Sequence, residues 1–303
     1  MEQFMTFTGR NLKNYFRDKG SVFFSLLSML IVIFLMVFFL GDMYIENTVD
    51  LLSAFPGRDR DMDRKNAELL ILIWNFAGIL SINAVTVTLA VYSVMIKDRV
   101  TGKLNSIYTA PVSRGVIAGG YIAAAWMASV FVCTITLFIT EIYGIIKGQN
   151  AFSFITHMQL MGLIAVNSFV YAAFMYLLAM IAKTEGAWSG IGTVIGTLVG
   201  FLGGIYIPIG SLDKSIGVIM KCTPVIYGTS LFRSIMTKSI AETTFLGVPE
   251  EVLEEYRIVT GIHLKLFDRT IGIIEEWMGL FLCGILLMIL GIFVLKFGRK
   301  TDR

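Results

Sequence analysis

The sequence is poor in charged residues, in proline, in cysteine and in histidine. Of its 303 residues, 16% are charged, five are proline, three are cysteine and two are histidine. The odd number and wide spacing of the cysteines indicate neither a disulfide framework nor a zinc cluster, and a net charge of +3 gives no electrostatic footprint for nucleic acid. The sequence contains no GxxxxGK[ST] phosphate loop, nucleophile elbow or HExxH motif. We therefore expect no catalytic, metal or nucleotide site on this chain.

Apolar residues are abundant instead. They make up 56% of the chain, and the mean hydropathy is +0.75, whereas about a quarter of a typical soluble domain is charged. Six apolar runs are each long enough to cross a hydrocarbon core of about 30 Å at about 1.5 Å per residue. They lie at residues 21–41, 69–96, 116–146, 155–182, 188–207 and 277–297. The sequence predicts an all-α integral membrane protein with six transmembrane helices in a single domain, residues 1–303.

Three other segments have their own patterns. Residues 1–20 place aromatic side chains on one helical face and cations around the other, which predicts an amphipathic helix in the membrane interface. Residues 97–114, KDRVTGKLNSIYTAPVSR, are polar and basic and predict a short helix outside the membrane that ends before Pro111. Residues 208–276 begin apolar and become charged, so they predict re-entrant or interfacial helices followed by an external cap.

The distribution of cations predicts the orientation. Lysine and arginine accumulate in short loops and at span ends on the side that holds both termini: Arg10, Lys13, Arg17, Lys19, Lys97, Arg99, Lys103, Arg114, Lys183, Lys296, Arg299, Lys300 and Arg303. Lys147 is alone in the short turn on the opposite side. Because cytoplasmic loops are enriched in these residues, we expect both termini, and the helix within residues 97–114, to lie in the cytoplasm.

Polar residues inside the spans are the candidates for a functional role. Asn75, Asn83 and Thr86 fall on one stripe of the second span. Such a stripe either faces a water-accessible path or hydrogen-bonds neighbouring helices together, and both interpretations stay open. Glu141, near the end of the third span, is either a functional carboxylate or an interfacial one. Glycines 192, 196 and 200 in the fifth span predict a close-packing helix face.

Three segments resemble the permeases of ABC-2 type transporters. Residues 97–114 resemble the family's ER-x-x-GTLE-x-L-x-x-x-PVSR segment after the second span, and the matching positions are Asp98, Arg99, Gly102, Leu104, Ile107, Pro111, Val112, Ser113 and Arg114. Residues 203–212 resemble the glycine-rich, proline-containing turn after the fifth span, and Thr223-Pro224 with Arg233 is similar to the segment that follows. Lys97, Lys103 and Asn105 depart from the family pattern, and residues 240–270 are longer than the usual outer segment.

The resemblance implies the membrane half of an ATP-driven exporter with the type V (ABCG-like) fold, in the plasma membrane of a bacterium. A separate ABC ATPase subunit would carry ATP and Mg, and no cofactor would belong to this chain. The other partners would be a second copy of the permease or a paralogous permease, and membrane lipids, but not nucleic acid. The resemblance implies roles for three sets of residues. The contact with the ATPase would be made by Asp98, Arg99, Gly102, Leu104 and Ile107, and the substrate path between spans two and five would be lined by Asn75, Asn83, Thr86, Thr193 and Thr197. The outer gate would be formed by Pro208, Ser211 and Leu212.

The sequence constrains the substrate less than it constrains the class of transporter. The apolar, uncharged candidate path favours an amphiphilic drug, antimicrobial peptide or lipid-like substrate, and the alternative is a polysaccharide or teichoic-acid exporter. An ion-coupled secondary transporter is an alternative of a different class. Such proteins usually carry intramembrane acids or inverted repeats, and here Glu141 is the one candidate acid within a span.

Overall fold

The protein is mostly helical. The computed structural model describes residues 1–109, 111–266 and 269–297. The elements are α1 (Glu2–Arg17), α2 (Lys19–Leu35), a π-helical turn (Met36–Leu40), α3 (Gly41–Ser53), α4 (Arg60–Val100), α5 (Lys103–Thr109), α6 (Arg114–Ile146), α7 (Phe154–Ile181), α8 (Glu185–Leu202), a 3₁₀ turn (Ile209–Ser211), α9 (Lys214–Lys221), α10 (Pro224–Met236), α11 (Lys238–Thr244), α12 (Glu250–Val259), a hairpin of β1 (Lys265–Leu266) with β2 (Arg269–Thr270), and α13 (Ile273–Phe297).

Five helical segments are long and apolar enough to cross a membrane. They are Lys19–Ser53, Arg60–Val100, Arg114–Ile146, Phe154–Ile181 and Ile273–Gly291. The helices α9 and α10 meet at 90° and make a sixth if the pair is one broken span. The predicted fifth span, residues 188–207, contains most of α8, which has 18 residues, ends at Leu202 and is not among the five. The all-α membrane architecture is confirmed, whereas the number of six spans stays a prediction.

The long helix α4 forms the centre of the bundle. In its most apolar 18-residue stretch, 78% of the residues are buried, against 19% in the segment Lys19–Ser53 and 17% in α13. The helices α2, α6, α7, α8 and α10 pack around it. A helix that is hydrophobic all round lies either in a protein core or in a membrane, and in α4 it is protein that covers most of this surface. At about 1.5 Å per residue, its 41 residues extend for roughly 60 Å.

Two helices extend further than the predicted spans. The first span was expected to end at residue 41, but α3 continues it to Ser53 because Thr48, Val49 and Leu52 form a buried face against α4. The helix α4 begins at Arg60, nine residues before the predicted span, because the carboxylate of Asp59 accepts hydrogen bonds from the first free backbone N–H groups. Residues 42–67, which lie between the first two predicted spans, are therefore mostly helix.

The bundle has two ends, which we call the α5 end and the α12 end. The α5 end holds α1, α5 and the turn between α7 and α8. The α12 end holds α11, α12, the hairpin and the loop between α6 and α7. At the α12 end, Arg58 donates to the carboxylate of Asp63 at 2.5 and 3.0 Å and to the carbonyl oxygens of Thr244 and Leu246 at 2.7 Å. Arg58 thereby fixes the start of α4 to α11.

Candidate functional site

The turn between α4 and α5 depends on a glycine. The backbone N–H of Gly102 donates to the carbonyl oxygen of Arg99, and Gly102 has a φ of +74°. This left-handed conformation is the usual way to end a helix, and glycine adopts it without a steric cost. It lets the chain reverse into α5, where Leu104 is buried and Ile107 is half-buried against the core. The opposite face of α5 is polar and exposed.

The Asp98 side chain points into the protein. Its carboxylate accepts two hydrogen bonds from the guanidinium of Arg10 on α1, at 2.6 and 2.7 Å, and one from the hydroxyl of Tyr121 on α6, at 2.7 Å. The Asp98 side chain is 6% exposed and that of Arg10 is 32% exposed. The hydrogen bond to Asp98 outweighs the opposing effect of burial and raises the pKa of Arg10. One carboxylate therefore joins α1, α4 and α6 at the α5 end.

Arg99, the next residue, points to a different neighbour. Its guanidinium donates to the carbonyl oxygen of Ala179 at 2.8 Å and to that of Ala182. These carbonyls belong to the last turn of α7, where a helix has no backbone donors for its final oxygens and where a cation is favourable. Arg99 therefore attaches the end of α4 to the turn between α7 and α8.

The structure separates the five predicted path residues. Asn75, Asn83 and Thr86 are buried in α4, and the Nδ2 of Asn83 donates to the Oγ1 of Thr136 on α6 at 2.9 Å. Thr193 and Thr197 instead lie on the exposed face of α8, where their hydroxyls donate to carbonyl oxygens one turn earlier in the same helix. The α4 stripe thus includes one of the helix-to-helix hydrogen bonds that the sequence left as an alternative.

A cleft connects one member of the stripe with α8. It has a volume of about 380 Å³ and lies between α2, α4 and α8. Thr86, Ser93 and Trp188 line it, and the indole N–H of Trp188 donates to the hydroxyl of Ser93 at 3.1 Å. Every described residue that lines the cleft is uncharged. Its lining is therefore a mixture of hydroxyl, small and apolar groups.

The predicted outer gate lies in a tight turn at the end of α8. Pro208 is buried, Ser211 is exposed and Leu212 is half-buried. Within the 3₁₀ turn, a Cβ atom on Gly210 would lie 2.5 Å from the Cα of Val259 on α12. Only glycine allows the two backbones to approach so closely. The turn is consequently held against α12.

A buried arginine stabilises the same region. Arg233 of α10 is fully buried, and its guanidinium donates to the carbonyl oxygens of Gly204 at 2.9 Å and Thr260 at 3.2 Å. Its central carbon lies 3.8 Å from the ring centroid of Trp74 on α4, a cation–π geometry. None of the ion pairs between described residues involves Arg233. It thus links α4, α10, α12 and the turn after α8.

The sequence did not assign a structural role to Arg10, Tyr121 or Arg233. Arg10 was one of several cations of an amphipathic helix, Tyr121 was not singled out, and Arg233 entered only through a resemblance. A single charge within the apolar run PVIYGTSLFRSIM of α10 is the signal that could have identified Arg233, because a buried charge requires specific partners. Nothing in the sequence pairs Arg10 with Asp98, which is 88 residues away.

Among the described residues, no group of three or more His, Cys, Asp or Glu side chains is arranged to hold a metal ion. No curated protein and no solved structure matches this chain. The family model described as ABC-2 type transporter matches residues 2–237, which is more than three quarters of the chain and ends at the start of α11. The chain belongs to the ABC-2 type transporter family and is a multi-pass membrane permease of an ABC transporter.

Proposed function

We propose that this chain is the permease subunit of an ATP-driven exporter and that a separate ABC ATPase subunit, which binds ATP and Mg, docks on α5. The observation that carries the proposal is the arrangement of α5. Its exposed face offers Lys103, Asn105 and Ser106 to a partner, and its buried face rests on the core through Leu104. Two of these three exposed residues, Lys103 and Asn105, depart from the family pattern, and we propose that they adapt the contact surface to its own ATPase.

The residues before α5 would transmit the force rather than receive it. Asp98 is bonded to α1 and α6, and Arg99 is bonded to the end of α7. Pressure on α5 would therefore act on three neighbouring helices as well as on α4. The predicted coupling residues would therefore have two roles. Those of α5 would contact the ATPase, and Asp98 and Arg99 would transmit the movement to neighbouring helices.

The substrate path would lie between two permease chains. Thr193 and Thr197 are exposed on α8, so a second copy or a paralogous permease placed against this face would turn it into a lining. The uncharged cleft beside Thr86 opens towards the same helix. An uncharged lining with hydroxyl and aromatic groups supports an amphiphilic drug, peptide or lipid-like substrate over a highly charged polymer. The turn at Pro208, Ser211 and Leu212 would close this path at the α12 end.

Orientation follows from the cations. The α5 end carries the basic residues of α1 and of residues 97–114, so we place it in the cytoplasm of a bacterial cell with both termini. The α12 end then faces outward. The exporter direction is proposed from the family resemblance alone.

The test combines purification with a matched pair of variants. The permease is purified from its native membrane with any ABC ATPase that accompanies it, and both are reconstituted in proteoliposomes. We expect ATP-dependent transport of an amphiphile, and we expect Lys103→Glu to weaken ATPase association while Lys147→Glu, the same exchange at an exposed lysine of the α12 end, leaves it unchanged.

Three results would contradict the proposal. Equal effects of the two variants would remove α5 as the docking site. Transport that survives ATP depletion and disappears with an ion gradient would indicate a secondary transporter. Loss of a surface glycan or teichoic acid on deletion of the gene, without a change in amphiphile resistance, would assign the polymer alternative.

A further inference from the structure

A second and larger cavity lies at the α12 end. It has a volume of about 750 Å³ and is bounded by the start of α4, the loop between α6 and α7, the first turns of α7 and α13, and the α10–α11 corner. The cleft beside Thr86 shares none of its lining residues. Neither the proposed ATPase contact nor the proposed path uses it.

The polar part of the lining has free hydrogen-bonding groups. The side chains of Asn66, Asn150, Gln159 and Ser239 line the cavity, and they take part in none of the hydrogen bonds between described residues. Each amide both donates and accepts, and the hydroxyl does the same. A ligand with several hydroxyl groups can use both capacities, whereas the phosphodiester of a phospholipid offers only acceptors.

The charges of the lining also argue against an anionic ligand. Among the described residues around the cavity, Lys238 and Glu242 are the charged ones. They stand one helical turn apart on α11, so the lining carries no net charge. Phosphate sites typically gather several cations or free backbone N–H groups. At the start of α7, the N–H of Phe152 already donates to the carboxylate of Glu141 and that of Thr156 to the hydroxyl of Ser153. The cavity is instead suited to a neutral, polyhydroxylated group.

The remaining wall is apolar and continues onto the lipid-facing surface. Trp277 of α13 is half-buried in the wall, and Ile155 and Ile273 beside it are 70% and 48% exposed. Beyond the cavity, exposed apolar side chains follow along α7 and α13, among them Phe154 and Met278. Since these helices are candidate membrane spans, the cavity would open towards lipid in a bilayer, and Trp277 would suit the interfacial level where tryptophan is enriched.

From this juxtaposition we infer that the cavity binds a glycolipid. The neutral sugar head group lies among Asn66, Asn150, Gln159 and Ser239 and packs on the indole of Trp277, and the acyl chains lie along the exposed faces of α7 and α13. The inference requires only that these helices cross a membrane. It is independent of the ATPase, of the cargo and of the direction of transport.

The test measures lipid retention by the purified permease in nanodiscs. The discs contain phosphatidylglycerol with equal amounts of monoglucosyl diacylglycerol and diacylglycerol, and native mass spectrometry counts the lipids that stay bound. We expect the glucosyl lipid to be enriched over both others. Gln159→Leu, which keeps the side-chain size and removes its hydrogen bonds, should lower that enrichment about fivefold, the effect of one net hydrogen bond.

Two further variants make the result specific. Gln3→Leu makes the same exchange at an exposed glutamine of α1, and we expect it to retain the glucosyl lipid as the unchanged protein does. Ser239→Trp places a bulky ring at the polar edge of the cavity and should also lower the enrichment. Equal retention of glucosyl and plain diacylglycerol, preference for phosphatidylglycerol, or equal effects of Gln159→Leu and Gln3→Leu would each overturn the inference. Because no ATPase is present, these outcomes leave the proposed transport function untouched.

Discussion

Removal of the Asp98 carboxylate should release α1 from the rest of the bundle. In the structure this group accepts three short hydrogen bonds, two from Arg10 and one from Tyr121. Breaking a fully buried ion pair costs about 3–5 kcal/mol, but Arg10 is 32% exposed, so water would hydrate part of its guanidinium. For Asp98→Ala we therefore expect a loss of about 2–3 kcal/mol in the free energy that holds α1 in place.

Hydrogen–deuterium exchange of residues 2–17 in nanodiscs measures this free energy. A loss of about 2–3 kcal/mol corresponds to exchange that is roughly 30- to 150-fold faster. Asp42→Ala is the matched control, because its carboxylate is 89% exposed and lies 4.0 Å from its one cationic partner among the described residues. Such surface pairs contribute about 1 kcal/mol or less. We expect no change in the exchange of α1 in this control.

A double-mutant cycle separates the ion pair from simple loss of packing. Arg10→Gln and Asp98→Asn are measured singly and together, and we expect an interaction energy above about 1 kcal/mol. The reasoning would be refuted if α1 exchanged at an unchanged rate in Asp98→Ala. In that case α1 would be held by its apolar contacts alone, such as the edge-to-face packing of Phe7 on Tyr121.

Three further predictions concern the turn, the buried arginine and the start of α2. Gly102→Ala should lower the free energy of unfolding by about 1–2 kcal/mol, because an alanine at φ +74° is strained. It should also speed amide exchange in α5. The control Gly115→Ala, in the first turn of α6, should leave that exchange unchanged. Arg233→Lys should lower the thermal unfolding midpoint, because an ammonium cannot reproduce both carbonyl contacts of the guanidinium and its stacking on Trp74. Hydrogen bonds from the backbone N–H groups that follow Asp18 lower the pKa of its carboxyl group. The Asp18 carboxylate therefore stabilises α2 fully above the pKa of the unfolded state. This stabilisation is lost as the pH falls through the lower pKa of the folded state. Exchange in the first turn of α2 should show this dependence, and Asp18→Asn should remove it.

The sequence predicted the all-α membrane architecture because a long apolar run must satisfy its backbone hydrogen bonds within itself. The sequence predicted the segments between the apolar runs less well. The helix α3 is polar enough to resemble a loop, and only its buried face against α4 explains why it is helical. That face depends on a neighbour from a different part of the chain, which periodicity alone does not identify.

The candidate site shows the same limit. The resemblance placed Asp98 and Arg99 in one group, and their adjacency in sequence suggested a common role. Because successive residues of a helix point about 100° apart, the structure directs Asp98 to α1 and α6 and Arg99 to α7. Likewise Asn83 and Thr197 both read as polar residues of a path, yet one is buried between helices and the other is exposed. Which of these groups a substrate meets stays a prediction.

The length of α4 has a mechanical consequence. The helix is unbroken from Arg60 to Val100 and is about twice as long as a hydrocarbon core of about 30 Å is thick, so a rigid tilt would act at both of its ends. Tilting by about 5° around its midpoint would move each end by roughly 3 Å, in opposite directions. The Arg58 contacts join its far end to α11. A movement that begins beside Asp98 would thus reach the opposite face of the membrane without a relay of intermediate side chains.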